Sequence, residues 1–213
     1  MDNFLEKENF KSEKDNSLNE NLVNENLVNE NLVNENSPEE KFHDEICDLA
    51  DLLSALIEYC WNSGYKQISP GMAMLAKNSI VQYDKDFLID SYIKKTNEYW
   101  NEIKERKLNF FEQNASKIFG KLPIGDVNIF EIILTAKNLK GEVIVTEEEI
   151  ESIWNSFSIL VKCSIEYIHK RRKCELKQKN NILIPVYTNT YMPMIKVRDL
   201  AELWNVKLQN PQI

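Results

Sequence analysis

Apolar residues at Phe42, Ile46, Leu49, Leu53, Leu56 and Cys60 are separated alternately by four and three positions, with Leu52, Ile57 and Trp61 flanking the row. That spacing winds onto one side of a 3.6-residue helix, so the segment has to bury a wide stripe against something else. Ser37-Pro38-Glu39-Glu40 supplies its start: a capping hydroxyl, a proline at the first helical position and acids on the positive end of the dipole. Gly64 supplies its end as a residue free to turn left-handed. A second long stripe, Ile150, Ile153, Trp154, Phe157, Leu160, Val161, Ser164, Ile165 and Ile168, follows the capping-box sequence Thr146-Glu147-Glu148-Glu149. Two such helices cannot bury their stripes alone, and a helical bundle is the fold class they impose.

Shorter segments complete the pattern. Ser69-Pro70 starts a helix carrying Met72, Met74, Leu75, Ile80 and Val81. Asp84 or Asp86 caps another, in which Phe87, Ile89, Ile93, Thr96, Trp100 and Ile103 share one side. A further helix is expected from Leu108 to Phe119, ending at Gly120, with Lys121 to Gly125 as a loop. The next is expected from Asp126 or Asn128 to about Leu139, with Gly141 after it. Val143, Ile144 and Val145 read as one short strand or, in preference, as residues that seat the chain before Thr146. Beyond Asn180 the alternation of Ile182, Ile184 and Val186, interrupted by Pro185 and Pro193, reads as an extended segment or an edge hairpin. A short helix from Val197 to Trp204 closes the chain. The expectation is an all-α domain, residues 38–208, of roughly six helices. Its core is expected to hold Leu53, Leu56, Trp61, Ile93, Trp100, Phe111, Phe119, Phe130, Ile133, Trp154, Phe157, Val161 and Ile165.

Residues 1–37 differ in kind. NSLNE is followed by three copies of NLVNE, and a period of five matches neither helix nor strand, so Leu22, Leu27 and Leu32 form no stripe. Asparagine also competes for backbone hydrogen bonds. The reading is a disordered, acidic, low-complexity tail. It carries nine acids and three lysines, so −6 of the chain's net −8 sits there and the body is nearly balanced. A balanced body gives no global attraction to nucleic acid or an anionic membrane. No stretch has the 18 apolar residues of a membrane span, and MDNFLEKENF lacks a signal peptide's apolar core, so a cytoplasmic protein is expected. Cys47, Cys60, Cys163 and Cys174 then read as reduced thiols.

Chemistry-bearing motifs are sparse. Five glycines, none clustered, provide no phosphate-cradling loop and no nucleophile elbow. His43 and Cys47 lie four apart on the first helix, while Cys163, His169 and Cys174 gather near another. Without the close ligand pairs of a zinc knuckle these read as buried thiols and surface imidazoles, and neither metal nor cofactor is expected. Residues 169–179, HKRRKCELKQK, set Lys170, Arg171, Arg172, Lys173, Lys177 and Lys179 against the single acid Glu175. Such a run suits phosphate contacts, but a solvated cationic helix C-terminus, favoured by the dipole, is the preferred explanation. It also lacks interleaved aromatics for base stacking.

The stretch IWNSFSILVKCSIEYIHKRR, Ile153 to Arg172, resembles a segment of helical proteins from nucleocytoplasmic large DNA viruses, in which an Ile-Trp pair precedes a Val-Lys helix ending in Tyr-Ile-His and basic residues. Phe110 to Pro123 and Leu203-Trp204 join that pattern, and the Asn-, Lys- and Ile-rich usage suits an AT-rich genome. Cys163 replaces an aliphatic residue of the pattern. The resemblance implies a setting, an infected cell's cytoplasm or a virion, and no catalytic residue. The expected function is a non-enzymatic interaction or structural protein with a protein partner, acting through a helical surface. A nucleic-acid-associated protein using residues 169–179 is the alternative, and an enzyme of unrecognised type the third.

Overall fold

Three helix starts written into the sequence, at Ser37, Asp84 and Thr146, are made by the side chains that announce them, whereas Ser69 precedes its helix without a side-chain cap bond. In the computed structural model, which describes residues 36–66, 69–118, 135–179 and 182–208, α1 runs Pro38–Asn62. Ser37 Oγ accepts from the Glu40 amide at 3.3 Å while the Glu40 carboxylate accepts from the Ser37 amide at 3.1 Å, a reciprocal cap. At the other end Tyr65 N–H reaches Cys60 C=O at 3.0 Å and Gly64 N–H reaches Trp61 C=O at 3.2 Å, a Schellman closure with Gly64 at φ +100°. Then come α2 (Pro70–Gln82), α3 (Lys85–Thr96, capped by Asp84 on the Phe87 amide), a 3₁₀ turn (Asn97–Tyr99), α4 (Trp100–Lys104) and α5 (Leu108–Ile118). The second long helix, α6 (Glu147–Lys170), has the Thr146/Glu149 capping box. Strands β1 (Lys173–Lys179) and β2 (Ile182–Thr188) and helix α7 (Met194–Leu203) follow.

From Asn36 onward the chain is one compact helical unit built around α1 and α6. The two lie antiparallel, since Glu39 at the start of α1 bonds Lys170 at the end of α6. On α1 also rest α2 and α3, and on α6 rest α4 and α7. Of the residues expected inside, Leu56, Ile93, Trp100, Phe111, Trp154, Phe157, Val161 and Ile165 are buried. Leu53 is only partly covered, and Trp61 sits at the rim under the Lys66 ammonium, 4.4 Å from its ring centre. Phe119, Phe130 and Ile133, like the tail through Glu35, lie outside the described residues.

Four local expectations are corrected. The helix beginning at Lys85 is not continuous through Ile103: it tightens to a 3₁₀ turn directly after Thr96, whose buried hydroxyl donates back to Tyr92 C=O at 2.8 Å and accepts from Trp100 Nε1 at 3.0 Å. Back-bonding of this type bends helices. The helix expected to reach Leu139 has ended by Ala136. Lys137 and Val143 form an antiparallel bridge, and the Asn138 carboxamide oxygen accepts from the Lys140 and Glu142 amides, so Gly141 (φ +82°) serves a tight reversal instead of a helix end. Finally, the basic run leaves the helix at Lys170 and continues as β1, paired antiparallel with β2 from Lys173↔Thr188 to Lys179↔Ile182. The closing helix also starts three residues early, at Met194.

The Thr96 hydroxyl gives the first prediction. Thr96→Val keeps shape but leaves the buried Trp100 indole N–H without an acceptor, which costs about 1–3 kcal/mol. Urea unfolding should show the midpoint falling with an unchanged slope, and Thr96→Ser, which retains the hydroxyl, should recover most of the loss.

Candidate functional site

Of the six cations singled out in the sequence, Lys170, Arg171 and Arg172 are each engaged by a neighbouring group, and the side chains of Lys177 and Lys179 lie outside those the structure describes. Lys170 Nζ lies 3.0 and 3.1 Å from the two oxygens of Glu39, in the first turn of α1. Arg171 bonds Asp86, in the first turn of α3, and its guanidinium stands 4.9 Å from the Tyr167 ring centre. Arg172 contacts the His169 ring at 3.0 Å and bonds its carbonyl. Lys173 is exposed at the start of β1, and the backbone register pairs Lys177 with Ile184 and Lys179 with Ile182. The physical cause is the antiparallel packing. The negative end of the α6 dipole draws in cations, the positive ends of α1 and α3 draw in acids, and all three ends meet at one place. An open groove beside them is bordered by the four acids Glu39, Glu40, Asp84 and Asp86 against Lys85 and His43, so acids outnumber bases there.

Burial alone would raise the Glu39 carboxyl, but backbone hydrogen bonding, Lys170 and Ser37 outweigh it and hold its pKa below the usual carboxylate value. His169 is held below the usual imidazole value by burial, then by Arg172 and Arg198. Both groups bind protons more weakly folded than unfolded. Their contributions are therefore complete above pH 6.5 for His169 and 4.5 for Glu39, and are lost as pH falls through the depressed folded values. Thermal unfolding followed from pH 7.5 to 3 should lose stability in two steps, and His169→Gln should remove only the upper one.

The histidine and thiol candidates are arranged poorly for nucleophilic chemistry. Cys47 Sγ is 4.0 Å from His43 Nε2, whose other nitrogen is 3.8 Å from Asp44. Yet burial, then Asp44, Asp48 and Asp51, push the Cys47 thiol up, opposite to what an activated thiolate requires. Burial, with help from Glu166, pushes Cys163 up to about 12. Among the described residues no three His, Cys, Asp or Glu side chains converge as metal ligands, and no helix is long and apolar enough to cross a membrane. The side chain of Cys174 lies outside the described residues.

A surface not singled out in the sequence stands out in the structure. Helix α2 packs on α1 through Ala73, and its one charged residue, Lys77, bonds Asp51 of α1. The opposite side presents Met74 at 63%, Leu75 at 68% and Val81 at 50% exposure, and continues into the exposed Tyr83 and Phe87, whose rings lie 5.4 Å apart. Between them lie Gly71, Asn78, Ser79 and Gln82, also exposed and all uncharged. The helix is thus apolar on both sides, a composition ordinarily found where both sides are covered. The legible signal was one charge in thirteen residues, the lowest share among the described helices.

No protein-family model matches the chain, and no curated protein or solved structure shows significant similarity to it.

Proposed function

We propose that the chain is a non-enzymatic interaction protein that binds a protein partner through the outward face of α2 and the adjoining Tyr83 and Phe87. One observation carries this reading: Met74, Leu75 and Val81, each at least half exposed, share the outward side of α2 with the uncharged Gly71, Asn78, Ser79 and Gln82, and the half-exposed Tyr83 and Phe87 adjoin it, flanking the exposed Asp84 and Lys85. Contiguous exposed apolar surface of this kind marks interaction sites in soluble proteins. The nucleic-acid alternative is weaker, because Lys170 and Arg171 are engaged by Glu39 and Asp86 and the neighbouring groove is acidic. Binding to DNA or RNA is expected to be no tighter than about micromolar at physiological salt. The viral resemblance of Ile153 to Arg172 supplies the setting for this proposal, the cytoplasm of an infected cell or a virion.

The test is photo-crosslinking in expressing cells with a benzophenone amino acid in place of Leu75, compared with the same group in place of the exposed Glu98. Protein adducts are expected at position 75 and not at 98. Absence of protein adducts at 75 rejects the reading.

A further inference from the structure

We propose that the outer edge of β1 is a docking surface separate from α2, and that it takes an extended, acidic segment of a partner protein as a third strand. The register decides which edge is open. Two residues, Asn180 and Asn181, separate the strands, and Lys179 pairs with Ile182. The pair that closes a two-residue hairpin is a hydrogen-bonded one, and such pairs alternate along an antiparallel ladder. Lys177↔Ile184, Glu175↔Val186 and Lys173↔Thr188 therefore exchange bonds across the ladder, while Leu176↔Pro185 does not. The backbone groups of Cys174, Leu176 and Gln178 on β1, and of Leu183, Pro185 and Tyr187 on β2, point away from the neighbouring strand. Pro185 has no N–H, so the outer edge of β2 lacks its central donor. The outer edge of β1 keeps all its donors and acceptors, a row that strand addition can use. Among the described residues β1 pairs only with β2, and no helix packs broadly on either strand. Two strands alone are marginally stable, so a third strand adds order as well as bonds.

Charge selects the occupant. Strand β1, KCELKQK, carries three lysines against the single acid Glu175. Two copies of β1 laid edge to edge would bring lysines against lysines, a device by which natural sheets avoid pairing with themselves. The same lysines favour a strand rich in Asp and Glu. Lys170 and Arg171 are not needed for this, since each is already engaged by an acid at the helix ends. Main-chain pairing distinguishes such a partner from a nucleic acid, which would use the lysines without requiring the strand edge.

Fluorescence anisotropy of the full chain with a labelled peptide of about nine residues alternating Glu and Val, long enough to cover β1, tests this. The peptide should bind saturably, and the same peptide with Lys in place of Glu should bind on the order of tenfold or more weakly. Leu176→Pro removes the central outward donor of β1 without removing a bond to β2, as Pro185 does on the other strand. It should weaken binding of the acidic peptide on the order of tenfold or more. Amide hydrogen exchange on the wild type serves as the second measurement should that variant lose the hairpin. The peptide should slow exchange at Cys174, Leu176 and Gln178 and leave Glu175 and Lys177, already bonded to β2, little changed. No binding up to about 1 mM, protection that does not follow this alternation, or a folded Leu176→Pro that binds like the wild type overturns the proposal. Tighter binding of single-stranded DNA than of the peptide, indifferent to Leu176→Pro, overturns it as well and assigns the lysines to phosphate contacts.

Discussion

Phe111→Ala is expected to lower the unfolding free energy by about 3–5 kcal/mol, the range for removing a fully enclosed aromatic ring. Phe111 has no exposed surface and joins α5 to α6, with ring centres 5.1 Å from Trp154, edge-on, and 6.4 Å from Phe157, stacked. Those two rings belong to the long helix that also packs on α1, so they cannot close over the missing ring without shifting the centre of the bundle. Residual cavity adds to lost transfer energy in such a site, and the two effects reinforce each other. For a domain of this size the loss corresponds to a melting temperature lower by about 10 °C. Phe111→Leu should retain most of the stability. A Phe111→Ala change of less than 3 °C would show that α5 does not seal the core.

Gly64→Val is expected to cost about 3 kcal/mol, for a reason unrelated to packing. A Cβ at this position would lie 3.0 Å from Leu139 Cγ, but Leu139 is 92% exposed and can swing into solvent, so the clash is the smaller effect. The larger one is φ +100°, a backbone state that a β-branched residue strongly resists and that the Schellman closure of α1 requires. Gly71→Ala is the control. It has open space and no positive φ, and a helical alanine should stabilise the fold by about 0.5 kcal/mol. Denaturant midpoints of the two variants should therefore move in opposite directions.

How much of this could be read beforehand depended on how local the cause was. Caps are set by residues three apart, so Ser37, Asp84 and Thr146 could be recognised from sequence, and each caps its helix as expected. The two long stripes likewise needed only their own periodicity. The break after Thr96 was hidden because it depends on a buried hydroxyl shared between Tyr92 and Trp100. Strand β1 was hidden because KCELKQK has the residues of a helix surface, and only pairing with the alternating β2 makes it extended. The basic run was misleading for a similar reason: the acids that engage Lys170 and Arg171 stand on α1 and α3, far away in sequence. Helix α2 was legible as a helix but not as a surface, since its Met and Leu residues look alike until α1 covers one side.

The most direct test of the whole account is the urea stability of a Leu75→Lys/Val81→Lys variant. If the outward face of α2 is surplus to folding and reserved for binding, each change should move stability by no more than about 0.5 kcal/mol, as exposed substitutions do. A loss of about 2–5 kcal/mol per site, the size expected for truncating a buried leucine, would mean that the face is packed within the fold, and would contradict it.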